Sequence, residues 1–184
     1  MNSAKSFHIY VNGQIDLISF PISYGNKIFL KYEIIYGPEW KLLSGEEQGI
    51  SQTTTKTNNK GVVLNLPIDF IAKSTTPYGW PQILCKVYCK NWFYTNLIGY
   101  SRVHVPIFSS AVKTINAPIL QPKFSNFWNN LNWRTPEMKY PEILIEGTQN
   151  KGFLMDSYGE VVFQLQTSTR GSSAFEYCWK DNRV

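Results

Sequence analysis

The residues best suited to chemistry are three cysteines, two histidines and a few acidic side chains, and they are scattered along the chain. A catalytic nucleophile needs a base within hydrogen-bond reach, and no motif for such a pair is present. Cys85 and Cys89 lie four residues apart in an apolar run, which favours burial as small hydrophobic side chains. His104 alternates with valines, which favours a structural histidine bonded to a neighbouring carbonyl, and His8 is similar. These residues predict neither an enzyme nor a zinc site.

Calcium chemistry is equally poorly supported, because calcium takes six to eight oxygen ligands, largely from clustered carboxylates. The chain has no Asp-x-Asp pair, and its aspartates are isolated: Asp16, Asp69, Asp156 and Asp181. Glu46-Glu47 lies between glycines and is typical of a solvated turn. We therefore expect no calcium site and no cofactor.

The aromatic residues, 15% of the chain, are better candidates, and their chemistry is that of binding. Trp92, Phe93 and Tyr94 are consecutive and follow Lys90 closely. Successive side chains of a strand alternate between its faces, so at least one of the three should point outward. Exposed aromatics beside a cation suit a lipid interface and a protein partner about equally well.

A second aromatic group shows helical rather than strand spacing. The apolar residues concerned are Phe124, Phe127, Trp128 and Leu131. They predict a short amphipathic helix near residues 123–132, between Pro122 and Pro136. Such a face usually packs on its own core, and membrane contact is the alternative.

The rest of the chain is dominated by β-branched and aromatic runs that end at Gly, Pro or Asn, which predicts an all-β sandwich. The predicted strands are 7–11, 14–20, 27–36, 50–55, 61–66, 68–72, 82–89, 97–108, 112–120, 142–146 and 159–167. Asn12-Gly13 predicts a tight hairpin between the first two. We expect one domain over residues 1–170 and a tail over 171–184.

Composition restricts the function further. The formal net charge is +5, from 18 basic and 13 acidic residues, but no two basic residues are adjacent. This argues against a nucleic-acid arm, although a single-stranded nucleic-acid binder using stacked aromatics is a third, weaker reading. Few cysteines and no apolar stretch of membrane-spanning length favour a reducing, cytosolic location.

The segment Pro77-Tyr78-Gly79-Trp80-Pro81, within residues 73–83, resembles the B9 domain, a C2-like module of ciliary proteins. Further similar blocks follow the family order: Gly13-Gln14-Ile15, Lys31-Tyr32, Tyr36-Gly37-Pro38-Glu39-Trp40, residues 45–52, Pro67-Ile68-Asp69, Val87-Tyr88, Gly99-Tyr100 and His104-Val105-Pro106. The resemblance covers about residues 7–120 and extends more weakly to about 170. The chain departs from the family pattern at residues 89–96, where acidic character is lost and aromatic character rises.

The resemblance implies a C2-like eight-stranded antiparallel β-sandwich in the Meckel syndrome (MKS) complex of the ciliary transition zone. The implied partners are B9 domain-containing protein 2, the Meckel syndrome type 1 protein, the tectonics and membrane proteins of that complex. The signature residues expected to be structural are Pro77, Tyr78, Gly79, Trp80, Pro81, Gly99, Tyr100, His104 and Pro106. For residues 77–81 the alternative is a contact with a partner, since Trp and Tyr are enriched in the energetic centres of interfaces.

Two functions remain open from the sequence. The first is a non-catalytic scaffold that binds related sandwiches at the cytoplasmic side of the transition zone or basal body. The alternative is a calcium-independent peripheral lipid-binding module whose dispersed positive charge favours acidic headgroups.

Overall fold

A computed structural model describes residues 6–20, 27–55, 61–107, 109, 111–122, 137–139, 141 and 155–172. These residues form ten β-strands. The strands are β1 (Phe7–Ser19), β2 (Lys27–Ile35), β3 (Lys41–Gly45), β4 (Gln48–Ile50), β5 (Thr54–Thr55), β6 (Val62–Ser74), β7 (Gln82–Lys90), β8 (Thr95–His104), β9 (Lys113–Pro122) and β10 (Met155–Arg170).

The strands lie in the order β3-β6-β1-β10-β9-β8-β7-β2-β4, with β5 also beside β2, and every ladder of more than one residue pair is antiparallel. The ladder between β8 and β9 narrows to one pair, Tyr100 and Leu120. This junction divides the curled sheet into two parts, β3-β6-β1-β10-β9 and β8-β7-β2-β4, whose inner faces enclose the core.

Strict alternation along β2 shows how the sequence builds that core. Its even-numbered residues from Ile28 to Ile34 are buried, and the odd-numbered residues between them face outward. The main core cluster combines side chains from both parts of the sheet, including Ile9, Phe70 and Phe163. Burying a side chain of this size stabilises the folded state by roughly 1.5–3 kcal/mol. Burial of these shared side chains is therefore the main interaction that holds the two parts of the sheet together.

The prediction of an all-β antiparallel fold is confirmed. Eight strands contain five or more residues, and the short strands β4 and β5 extend the sheet beside β2. The predicted helix near residues 123–132, the strand at 142–146 and nearly all of the tail lie outside the described residues.

The predicted hairpin at Asn12-Gly13 is wrong, because β1 runs straight through it. Gly13 pairs with Leu165 of β10 on one side and with Ile68 of β6 on the other. A Cβ atom at Gly13 would lie 2.0 Å from the carbonyl oxygen of Gln164. The glycine therefore allows a close approach of two backbones in the middle of a sheet, and pairing on both sides overrides the local turn signal.

Two other boundaries also differ from the prediction. The runs at 61–66 and 68–72 form the single strand β6, which contains Pro67 and a bulge where Asn65 has a φ of 46°. Strand β3 was not predicted, because its residues are mostly exposed and show no apolar alternation.

Candidate functional site

Strand β7 connects two aromatic loops that lie at its opposite ends. Residues 75–81, here called the clamped loop, precede the strand, and residues 91–94, the hairpin tip, connect it to β8. Both loops were singled out from the sequence, and the structure gives them very different surroundings.

The clamped loop is held by hydrogen bonds from distant segments. The indole N–H of Trp40 donates to the carbonyl of Tyr78 at 2.9 Å. The indole N–H of Trp80 donates to the carbonyl of Val105 at 2.8 Å, and the amide of Val105 donates to the carbonyl of Pro81 at 3.1 Å. Three of the signature blocks, around residues 36–40, 73–83 and 104–106, therefore meet here.

Aromatic packing reinforces these bonds. The rings of Trp40 and Trp80 meet edge to face with centroids 5.1 Å apart, and Phe7 meets Trp40 in the same way at 5.4 Å. Phe7 and Trp80 stack at 6.4 Å. Edge-to-face and offset-stacked pairs add to the stabilisation that comes from burial.

Two glycines make the close approach possible. The amide of Gly37 donates to the carbonyl of Gly79 at 2.9 Å. A Cβ atom at Gly79 would lie 2.5 Å from the Cα of Gly37, and the φ of Gly79 is +70°. Only glycine meets both conditions without strain.

Tyr78 is the exception in this loop. Its carbonyl is part of the clamp, yet its side chain is 79% exposed. Trp80, in contrast, is half-buried and packs against the main core. The loop therefore presents one aromatic side chain on a rigid support.

The hairpin tip has few such contacts. The β7–β8 ladder ends at the pair Lys90 and Thr95, and the amide of Asn91 donates to the carbonyl of Tyr94 at 2.8 Å. Trp92 is 90% exposed and Phe93 is 88% exposed, whereas Tyr94 is half-buried. The prediction that at least one of these aromatics points outward is confirmed.

Lysines form two rows on the outer face of β2 and β7. Lys27 lies directly opposite Lys90, and Lys31 lies directly opposite Lys86. The sequence predicts a dispersed charge, but the register of the two strands gathers these four cations on one face. Their spacing of four residues on each strand is the signal for a shared face, since side chains alternate with a period of two.

A small apolar cluster lies between and beside the lysine rows. It consists of Tyr88, Leu97 and Tyr100, with Phe29, Met138 and Met155 packed against it. The amide of Met138 donates to the hydroxyl of Tyr100 at 2.7 Å, and the hydroxyl of Tyr88 donates to the carboxylate of Glu137. Burial, followed by this bond to Glu137, raises the pKa of Tyr88, so its phenol stays protonated. The segment 137–139 therefore covers part of this outer face.

Two further signature residues, Gly99 and Tyr100, lie at the junction of β8 and β9. A Cβ atom at Gly99 would lie 2.8 Å from the Cγ2 of Ile119, so glycine allows the two strands to approach. Tyr100 is buried, and Pro106 is half-buried. His104 ends β8, where it pairs with Gln82 of β7, and it is exposed. Partial desolvation and the charge of Arg102 lower its pKa.

The cysteines singled out from the sequence lie where thiols are unreactive. Cys85 and Cys89 are free thiols buried in the core, as expected, and burial raises the pKa of each. Within the described ranges, no three His, Cys, Asp or Glu residues are grouped so that they could hold a metal ion. A helix long and apolar enough to cross a bilayer is also not found in that part of the chain. Phe124, Phe127 and Trp128 lie outside the described residues.

Sequence reasoning missed the roles of several of these residues. Gly37 and Trp40 belong to a recognised block, but their contacts with the clamped loop depend on segments about 40 residues apart. Lys27 and Lys86 were not singled out, and Lys31 was named only as part of a family block, because their grouping depends on strand register.

Comparison with known proteins finds relatives that all carry a B9 domain. The family model described as B9-C2, ciliary basal body-associated B9 protein, matches residues 9–168. B9 domain-containing protein 1 from Drosophila melanogaster is 37% identical over 96% of this chain and 79% of its own length. The human protein of that name is 34% identical over 95% of this chain and 88% of its own. B9 domain-containing protein 2 from Xenopus laevis is 31% identical over 53% and 55%.

Among solved structures, a C2 domain of plant extended synaptotagmin 1 is similar at 10% identity, with a TM-score of 0.43. The similarity covers 91% of this chain and 97% of that one. Because the family match spans most of the described strands and the identity to its members extends over nearly the whole chain, the protein belongs to the B9 family of ciliary basal body-associated proteins.

Proposed function

We propose that this protein is a non-catalytic structural component of the MKS complex on the cytoplasmic side of the ciliary transition zone. In that role it binds B9 domain-containing protein 2 and the Meckel syndrome type 1 protein, alongside the tectonics and membrane proteins of the complex, and contributes to ciliogenesis and the diffusion barrier. The observation that carries the proposal is the near full-length similarity to B9 domain-containing protein 1 from fly and human.

The clamped loop supports a binding role for one end of the domain. Tyr78 projects from a loop whose backbone is fixed by Trp40, Gly37 and Val105. Because the backbone at Tyr78 is already fixed, a partner that covers the ring has to order only the side-chain torsions, which limits the entropy cost of binding. Tyrosine is also among the residues enriched in the energetic centres of interfaces. We infer that Tyr78 contacts a B9-domain partner.

The experiment is co-purification of the tagged chain with its two B9 relatives from ciliated cells, followed by crosslink mapping. The wild-type chain should recover both relatives, and crosslinks should fall near residues 75–81. Tyr78→Ala should reduce that recovery severalfold without unfolding the domain, because the clamp uses the carbonyl of Tyr78 and not its ring.

Tyr10→Ala is the matched control, since it removes the same side chain from an exposed position on β1. It should leave recovery unchanged. Recovery of the wild-type chain alone would overturn the scaffold proposal, and equal losses in both variants would overturn the assignment to Tyr78.

A further inference from the structure

The hairpin tip exposes two large aromatic side chains beyond the end of the β7–β8 ladder. Trp92 and Phe93 are adjacent, and each is close to fully exposed, so neither packs on a face of the hairpin. Exposing two such side chains together costs hydrophobic free energy in water. Aromatic rings with this arrangement are stable at the boundary between lipid headgroups and acyl chains.

The lysine row next to the tip adds positive charge beside the exposed aromatic side chains. Lys27 and Lys90 are exposed and directly opposite each other, and like charges in this position destabilise a sheet. Within the part of the chain that the structure describes, neither lysine forms an ion pair with a carboxylate. An anionic surface would relieve this repulsion. The lysine row therefore complements anionic lipid headgroups, and the aromatic tip complements the boundary between headgroups and acyl chains just below them.

Distances along β7 then determine the orientation. Lys90 is the last residue of β7 and adjoins the tip, whereas Lys86 lies four residues further back, roughly 13 Å away at about 3.3 Å per residue. A headgroup layer is only about 5–8 Å thick, and charges are screened over about 8 Å at physiological salt. With the tip inserted, the Lys27–Lys90 row reaches the headgroups and the Lys31–Lys86 row does not.

The opposite arrangement, with the outer face of the sheet lying flat on the membrane, is disfavoured by segment 137–139. This segment covers the apolar cluster between the rows, and it places the carboxylate of Glu137 beside Tyr88 on the same face. An anionic surface would repel that carboxylate. The tip-first orientation keeps it away from the headgroups.

We propose that the domain docks tip-first on an anionic membrane surface, without calcium, through Trp92 and Phe93 in the interface and Lys27 and Lys90 on the headgroups. This goes beyond the scaffold function, because it assigns a second contact at the end of β7 opposite Tyr78. The domain would then hold a membrane at one end and a protein partner at the other.

The test is co-sedimentation of the full chain with vesicles of phosphatidylcholine alone or mixed with phosphatidylserine. Binding should require phosphatidylserine, persist in a calcium chelator and weaken with salt. The double variant Trp92→Ala/Phe93→Ala should lower affinity by roughly tenfold or more, as should Lys27→Glu/Lys90→Glu. The variant Lys31→Glu/Lys86→Glu should lower it by less than about threefold, because that row lies beyond the screening length.

The two lysine variants are matched in charge. Each reverses two charges, gives the same net charge and replaces one like-charge cross-strand pair with another. Circular dichroism of thermal unfolding establishes that each variant folds, and folded variants are compared. Equal losses in both would overturn the tip-first orientation, and unchanged binding of Trp92→Ala/Phe93→Ala would overturn the docking site.

Two further readouts separate this proposal from other interpretations. Wild-type binding to acidic peptides or oligonucleotides but not to anionic vesicles would overturn it in favour of a macromolecular partner. Trp92→Ala/Phe93→Ala should still co-purify with the B9 relatives, and Tyr78→Ala should still bind vesicles. Failure of the scaffold proposal would therefore leave the vesicle result intact, and the reverse also holds.

Discussion

The two ends of β7 are both rich in aromatic residues, but only one end is built into the fold. In the clamped loop, the indole N–H groups of Trp40 and Trp80 bond to backbone carbonyls, and their rings pack on Phe7. In the hairpin tip, Trp92 and Phe93 are exposed, and one bond between Asn91 and Tyr94 spans the loop. The comparison teaches that aromatic content alone does not distinguish a structural loop from a binding loop. A structural loop is distinguished by hydrogen bonds and packing contacts that tie its rings and its backbone to the rest of the fold.

The same substitution at each end gives the largest predicted contrast. Trp80→Ala should lower the free energy of unfolding by about 3–4 kcal/mol, because it removes packing against the core and the bond to Val105. Trp92→Ala should change it by less than about 0.5 kcal/mol, since the side chain is exposed. Chemical denaturation measured by circular dichroism provides both values, and similar losses at the two positions would break the comparison.

Gly79→Ala sharpens the comparison by testing the backbone of the clamped loop rather than its rings. We expect a loss of about 2–3 kcal/mol, because alanine is strained at a φ of +70° and its Cβ would meet the Cα of Gly37 at 2.5 Å. Phe93→Ala is the control at the hairpin tip and should be nearly neutral. A folded Gly79→Ala protein with unchanged denaturant midpoint would show that the loop is not clamped.

Thiol labelling compares β7 near the tip with β7 in its middle. Cys85 and Cys89 are both buried, and burial raises the pKa of each thiol, which keeps the unreactive protonated form. Local opening of the hairpin should expose Cys89 first, so it should be labelled severalfold faster in the native state. The measurement uses Cys178→Ser as background and mass spectrometry as readout, and faster labelling of Cys85 would contradict this order.

The smallest predicted effect concerns the lysine row beside the tip. Lys90→Glu places a carboxylate opposite Lys27 and should raise the free energy of unfolding by about 0.2–1 kcal/mol. The same substitution should weaken vesicle binding, so stability and binding change in opposite directions. If Lys90 served only to stabilise the fold, Lys90→Glu would lower the free energy of unfolding. That result would count against a docking role for Lys90. High salt should reduce the gain in stability.

Much of the framework could be predicted from local patterns. Alternation along residues 27–36 and the apolar run at 82–89 correctly indicated β2 and β7, because side chains of a strand alternate between a buried and an exposed face. Three adjacent aromatics could not all be buried by a strand, and exposure at the hairpin tip follows from that limit. The error at Gly13 came where pairing on both sides outweighed a local turn signal. The break predicted at Pro67 was wrong for another reason, because this proline pairs only with Gln14 of β1 and lies beside a bulge, where a strand tolerates proline.

By itself, the sequence determined the all-β antiparallel fold, the family, the scarcity of catalytic groups and the exposure of an aromatic loop. Residue types and spacing within a few positions suffice for the fold class, the catalytic groups and the exposed loop, and the family follows from the order of short blocks along residues 7–120. Only the tertiary structure decided that residues 36–40, 75–81 and 104–106 form one clamp and that four lysines form two rows. Both features depend on strand register and long-range contacts, which the spacing of residues along one chain does not encode locally.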